Sequence, residues 1–199
     1  MGRTQQWDRA QVLSAAMQLF RRRGYLGAST RELAEATGLH PGSLYREFSN
    51  KEDLFCAALD AYNIEVVQGR VRQHMAAAQD PVAGIRSFFV SAIDTGVERD
   101  PGCLVTNTAV ESFGLPEATA GVQRGLDIIE SGFHDALTRA RALGQLRESV
   151  RAEVLAAQLL ATYQGLLVLV RAGAPAAKLH MITDGALASI GATEGNEND

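Results

Sequence analysis

His40, Gly42, Ser43, Tyr45 and Arg46 fall within one short stretch of the chain. Together they offer what the edge of a base pair asks of a protein: small residues for close approach, hydrogen-bonding tips, one aromatic hydroxyl and one guanidinium. Thr30 and Arg31 before them and Lys51 after them are types that hold phosphate. A second group has different chemistry. Cys103, Thr106 and Asn107 form a polar spot in an otherwise apolar segment, with Phe88, Phe89 and Phe113 as aromatic company. A thiol in the first turn of a helix is disposed to ionise, because the helix dipole and its unpaired amides favour the anion.

Catalytic patterns are missing. There is no glycine-rich phosphate loop, no nucleophile elbow and no metal-spaced histidine or cysteine cluster. His40, His74, His134 and His180 are scattered, and carboxylate pairs such as Asp94 with Glu98 are ordinary charges on a helix face. The expectation is a protein with no catalytic residue, no metal and no cofactor. Cys56 and Cys103 make no disulfide framework, and in a reducing compartment both are thiols.

The elements that must position these groups read as helices throughout. Apolar residues recur at three and four, as in Val12, Ala16, Leu19 and Phe20 and again in Leu155, Leu159, Leu166 and Val170. The fold class expected is all-α. A first helix runs from Trp7 to Arg23 and stops at Gly24. Ser29-Thr30-Arg31-Glu32 reads as a capping box opening a short helix that ends at Thr37-Gly38, and Pro41 opens another that ends at Phe48. Ser49-Asn50-Lys51-Glu52 reads as a second capping box, starting a long helix to Ala78. Asp80-Pro81 starts one reaching Arg99. Asp100 as cap and Pro101 as first residue start the next, putting Cys103 third. Leu115-Pro116 opens a helix to Leu143, and two more run from Val150 to Arg171 and from Ala176 to Ile190. The two short helices joined by a glycine turn have the proportions of a helix-turn-helix, whose second helix enters a major groove.

Composition bounds the class. The 199 residues are 46% hydrophobic and 21% charged, which is the balance of a globular domain with a real core. No uninterrupted apolar run reaches membrane-spanning length, the N-terminus lacks a secretory signal pattern, and a cytoplasmic protein with no membrane partner is expected. The net charge of −4 conceals an asymmetry: residues 1–55 carry eight basic and six acidic side chains, and the rest eleven and seventeen. One end is suited to a polyanion.

The run Gly24-Tyr25, Ser29-Thr30-Arg31-Glu32-Leu33-Ala34, Gly38-Leu39-His40-Pro41-Gly42-Ser43-Leu44-Tyr45-Arg46-Glu47-Phe48 and Asn50-Lys51-Glu52-Asp53-Leu54 resembles the DNA-binding head of a TetR-family transcriptional regulator. The resemblance implies an N-terminal three-helix helix-turn-helix DNA-binding domain and a C-terminal helical ligand-binding and dimerisation domain. It also implies a homodimer, a palindromic double-stranded operator and an effector that releases it. It puts Thr30, Arg31, Tyr45 and Lys51 on phosphates and His40, Gly42, Ser43 and Arg46 near base edges. Pro41 stands where the family more often has Lys, which removes one phosphate contact from the set. Tyr45 either contacts phosphate or packs.

Domain bounds follow at 1–50 for the DNA-binding part, 51–191 for the helical body and 192–199 for a disordered tail. The segment from Gly102-Cys103-Leu104 to Glu111 further resembles the branch of the family that includes the N-ethylmaleimide-responsive repressor. Cys103 is then either a sensor of electrophiles or oxidants, or a small residue packing a helix start. Leu155, Leu159, Gly165, Leu166, Leu169 and Val170, with small residues Ala157, Ala161 and Ala172, form a dimer surface, bury a central helix within one chain, or do both at once. The function expected is a dimeric repressor released by a small ligand or by thiol modification. The competing reading is an all-α ligand carrier or enzyme with an incidental helix-turn-helix.

Overall fold

The computed structural model describes residues 7–94, 101–111 and 114–190. Every regular element among them is helical: α1 (Arg9–Gly27), α2 (Thr30–Thr37), α3 (Pro41–Glu47), α4 (Lys51–Tyr62), α5 (Gln68–Arg70), α6 (Pro81–Ile93), α7 (Leu104–Glu111), α8 (Pro116–Ala142), α9 (Ala152–Arg171) and α10 (Ala176–Ala188). The long helix expected after residue 50 continues beyond α4 to Ala76, but Asn63–Val67 and Val71–Ala76 are wound as wider π-helix on either side of α5. Periodicity does not distinguish the two windings over so few residues.

Caps explain most boundaries. Asp8 opens α1 by accepting from the Ala10 amide, and Asp80 opens α6 by accepting from the amides of Val82 and Ala83. The box at Ser29 is complete: its hydroxyl accepts from the Glu32 amide and the Glu32 carboxylate takes the Ser29 amide. The second box differs by one residue, for Asn50 rather than Ser49 caps α4, with its side chain accepting from the Asp53 amide at 2.8 Å. α6 ends at Ile93, before Arg99, and Asp94 is already non-helical. Asp100, expected to cap the next helix, lies outside the described residues, as does the tail 192–199.

The chain forms two compact units. Residues 1–66 and 101–125 make the first. Its core is built from Val12, Ala16, Leu19 and Phe20 of α1, Leu33 of α2, Leu44 of α3, Leu54, Phe55, Ala58 and Leu59 of α4, and Leu104 and Val105 of α7, all buried. The Phe20 ring meets Phe55 edge to face at 4.8 Å. Asn63, itself buried, donates to the Gly121 carbonyl at 2.8 Å.

Residues 67–100 and 126–199 make the second unit. Phe88, Phe89, Phe133 and Tyr163 form an aromatic cluster with centroid separations from 4.7 to 6.3 Å. Arg139 donates to the carbonyls of Met75 and Ala78, closing the end of the helix that stops at Ala76. α9 sorts its residues by face. Leu155, Leu159 and Leu166 are buried within their own chain, as the central-helix reading expects, while Leu169 and Val170 are half-buried. The outward stripe is Val154, Ala157, Ala161, Gly165, Val168 and Ala172, at steps of three and four, and includes the small residues expected of a dimer surface. By length and mean hydropathy α9 qualifies as a membrane-crossing helix, although polar residues interrupt its apolar run, and a third of that window is buried within the chain. That a core-lining helix passes the same test is expected of one this rich in Leu, Val and Ala.

Candidate nucleic-acid interface

α2 and α3 are too short to persist alone, since a helix of two turns has not repaid its nucleation cost. α2 is sustained by its capping box and by Gly38, which ends it in the left-handed conformation with φ +68°. Only a residue without a Cβ takes that turn without strain. α3 begins at His40, whose ring Nδ1 accepts from the Gly42 amide at 3.3 Å and whose carbonyl accepts from Ser43 and Leu44. Pro41 takes the first helical position, where its missing N–H costs nothing. Leu44, fully buried, anchors the helix.

This arrangement leaves His40, Pro41, Gly42 and Arg46 exposed and Ser43 half-buried. Thr30, Arg31, Gly38, His40 and Pro41 share the lining of an open concavity of about 560 Å³ with Ala34, Glu35 and Leu39. Thr30 and Arg31 are the first two residues of α2. Arg31 is already engaged: its Nε donates to Glu35 one turn on at 2.8 Å, and that bond raises its pKa. Glu32 is held below the usual carboxylate range by the Ser29 amide and hydroxyl, with smaller help from Arg23 and Lys51.

Two expected phosphate contacts sit differently. The Tyr45 hydroxyl is buried with no hydrogen-bond partner among the described residues, and desolvation raises its pKa. Lys51, the first residue of α4, places its ammonium 4.6 Å from the centre of the Tyr25 ring. Burial lowers the Lys51 pKa, against the pull of Glu111 and Glu32.

The second predicted group is divided between the two units. Phe88 lies in the aromatic cluster of the second unit, Cys103, Thr106 and Asn107 lie in the first, and Phe113 is outside the described residues. α7 starts at Leu104, so Cys103 is the residue before the helix and not its third; its carbonyl accepts the first helical bond, from Asn107, at 2.9 Å. Proline is at home both in a first helical turn and just before it, and here Pro101 and Gly102 are non-helical. The Cys103 thiol is buried, as is Thr106. The Asn107 amide donates to the Pro101 carbonyl at 2.9 Å and to the Arg21 carbonyl at 3.5 Å, so it is a brace between segments. The Cys56 thiol is pushed up to about 11, mainly by desolvation and then by Glu52, Asp60, Glu117 and Asp53, which leaves it inert near neutral pH.

Arg21, which by sequence reads with Arg22 and Arg23 as a solvated helix end, and Glu111, which the sequence does not single out, both make specific contacts. Arg21 donates from Nε to the Gly102 carbonyl at 2.9 Å, and its guanidinium lies 5.9 Å from the Tyr62 ring. Glu111 accepts from the amides of Tyr25 and Leu26 at 3.0 and 2.7 Å. The bonds to Gly102, Tyr25 and Leu26 have no local signal, because the two ends of each are more than eighty residues apart in the chain.

Comparison with known proteins agrees with this geometry. Residues 12–58 match the model for bacterial regulatory proteins of the tetR family, and residues 81–184 match a tetracyclin repressor-like C-terminal domain. The chain is 31% identical over 149 residues to the HTH-type transcriptional regulator YezE of Bacillus subtilis, covering 73% of this chain and 76% of that one. It is 28% identical to the HTH-type transcriptional repressor ComR of Escherichia coli, covering 91% and 88%. Among solved structures, a cysteine mutant of the TetR family transcriptional regulator CifR, complexed with 26bp double-strand operator DNA, superposes with a TM-score of 0.83 at 28% identity, covering 95% of this chain and all of that one. With its helix-turn-helix, its helical body and both family models matched in order, the chain belongs to the tetR family and is a DNA-binding transcriptional regulator.

Proposed function

We propose that this regulator is a cytoplasmic homodimeric repressor in which residues 1–50 read one half of a palindromic double-stranded operator, residues 51–191 dimerise and receive an effector, and 192–199 form a tail. The observation that carries the reading is the exposed edge of α3: His40, Pro41, Gly42 and Arg46 face outward beside a buried Leu44, next to the concavity that Thr30 and Arg31 line. In that pose α3 enters the major groove, with His40, Gly42, Ser43 and Arg46 at base edges and Thr30, Arg31 and Lys51 on phosphates. Tyr45 joins the phosphate set once its hydroxyl turns outward. DNA is the partner in the CifR complex, and the same class of partner fits here.

The outward stripe of α9 supports the dimer. Its small residues let a partner helix approach closely, and Val154 and Val168 beside them are about half exposed. Exposed Met181 on α10 extends the same character. Two copies related by a two-fold axis place two α3 helices on successive major grooves. An effector releases DNA by binding more tightly to the spacing of heads that does not fit the operator. A small ligand is one such effector. Modification of the Cys103 thiol by an electrophile is the other, and burial of that thiol means the reagent acts on an opened state.

The test starts with duplexes enriched by the purified chain from a random library. The parent chain selects a palindromic sequence and prefers it at least a hundredfold over random DNA. Replacing His40, Tyr45 and Lys51 together with Ala removes that preference while the far-ultraviolet helical signal persists; full retention of binding refutes the assignment. A carrier or enzyme of this fold enriches nothing. For the thiol, a Cys103→Ser chain that still releases DNA on treatment with N-ethylmaleimide ends the sensor reading.

A further inference from the structure

α1 is not continuous. Gly24 has φ +72° and ψ 175°, so the helix breaks there and resumes for one turn, Tyr25–Gly27, before Ser29 caps α2. In an unbroken helix the Tyr25 amide donates to the carbonyl of Arg21. Here both halves of that bond are taken up by α7. The Asn107 amide donates to the Arg21 carbonyl at 3.5 Å, and the Glu111 carboxylate accepts from the amides of Tyr25 at 3.0 Å and Leu26 at 2.7 Å. Asn107 and Glu111 are four apart and so share one face of α7. Gly24 is required in this arrangement twice over: its φ excludes a side chain, and a Cβ at that position sits 2.3 Å from a Glu111 oxygen.

Glu111 is badly placed for α7 itself. It is the last residue of the helix, where the dipole disfavours a negative charge, and no basic residue stands in that turn. What offsets this is the pair of amides that α1 presents. A carboxylate on two N–H donors is a strong, charge-assisted arrangement, and it resembles an acidic cap on the short turn Tyr25–Gly27.

We propose that Glu111 is a positioning residue for operator recognition. It fixes the setting of Tyr25–Ser29, the segment that delivers α2, and through the Tyr25 ring it fixes Lys51. The distances on that path are short. Tyr25 packs against Phe55 at 5.0 Å, carries the Lys51 ammonium at 4.6 Å, and is followed four residues later by Ser29, whose capping box opens α2 at Thr30 and Arg31. Phosphate contacts fix a protein's register on the duplex, and base contacts then follow from that register. A loosened Glu111 therefore costs selectivity more than bulk attraction to DNA. It also makes α7, which begins beside Cys103, the element through which any movement of that helix reaches α2. The proposal rests on the DNA-binding function and not on which effector acts.

The experiment compares the parent chain with Glu111→Ala and Glu111→Gln, using the duplex that the parent enriches from a random library and, separately, the random pool, at a temperature where each chain is fully folded. Glu111→Ala loses about tenfold in affinity for the enriched duplex while its affinity for random DNA stays within twofold. Glu111→Gln keeps one acceptor oxygen and loses about threefold. Partial unfolding, the merely structural outcome, lowers both affinities together and overturns the proposal, as does an enriched-to-random ratio within twofold of the parent for both variants. Should Glu111→Ala not fold, Glu111→Gln decides on the same ratio, with a loss of less than twofold overturning. A parent chain that enriches nothing refutes the operator-reading function itself, a result seen before any variant is made.

Discussion

The segment 29–48 and helix α7 belong to the same compact unit and are held by opposite means. α2 and α3 take their ends from residues two or three positions away: Ser29 with Glu32, Gly38, and His40 with Gly42. α7 is tied by Arg21, Asn107 and Glu111 to partners that include carbonyls and amides more than eighty residues distant. The first arrangement is autonomous, and its geometry is written in a few adjacent residues. The second is relational, since α7 has its place only because α1 is broken where it is. A regulator needs both, a surface that keeps its shape against DNA and a support that can be shifted.

The strongest way to break the comparison is at the anchor of the autonomous part. Leu44→Ala empties a fully buried site in a helix of seven residues and lowers stability by about 3 kcal/mol, read from urea denaturation. A loss under about 1 kcal/mol means that the caps alone hold α3. On the relational side, Asn107→Ala leaves the Pro101 and Arg21 carbonyls without that amide and costs about 2 kcal/mol, with faster amide exchange at the start of α7 than in α2. Equal acceleration in both places means the two regions open as one. The smallest effect concerns Tyr45. Tyr45→Phe removes a buried hydroxyl that lacks a partner among the described residues, so stability rises by up to about 1 kcal/mol, while operator affinity falls about threefold because the proposed phosphate contact is lost. An affinity within twofold of the parent takes that hydroxyl out of the phosphate set.

Legibility in the sequence followed the same division. Ser29-Thr30-Arg31-Glu32 announced a helix start because the reciprocal bonds of a capping box span three residues, and Pro41 and Gly38 announced their positions through φ alone. The aliphatic stripes gave the all-α class for the same reason, as period is a local property. What escaped was long-range. Nothing near Glu111 tells that its carboxylate ends a turn of α1, and Leu155, Leu159 and Leu166 gave no sign whether the apolar surface they meet belongs to their own chain. Pro101 does not fix the register of Cys103, because proline is at home both inside a first helical turn and just outside it. The roles of the exposed residues on α3 rest on the resemblance, since surface exposure shows where contacts are available and leaves open which base each one meets.

The cap that His40 makes decides the hydrogen-bonding sense of its other nitrogen. In the neutral ring, Nδ1 is an acceptor because it receives the Gly42 amide, so the proton resides on Nε2 and the exposed edge of the imidazole is a donor only. Such a group can meet the N7 or O6 of guanine, the N7 of adenine or the O4 of thymine, and it is mismatched against the amino groups of adenine and cytosine. With α3 docked as proposed, the residue that starts that helix would also restrict which bases it can meet, through a tautomer that the backbone selects before any DNA arrives.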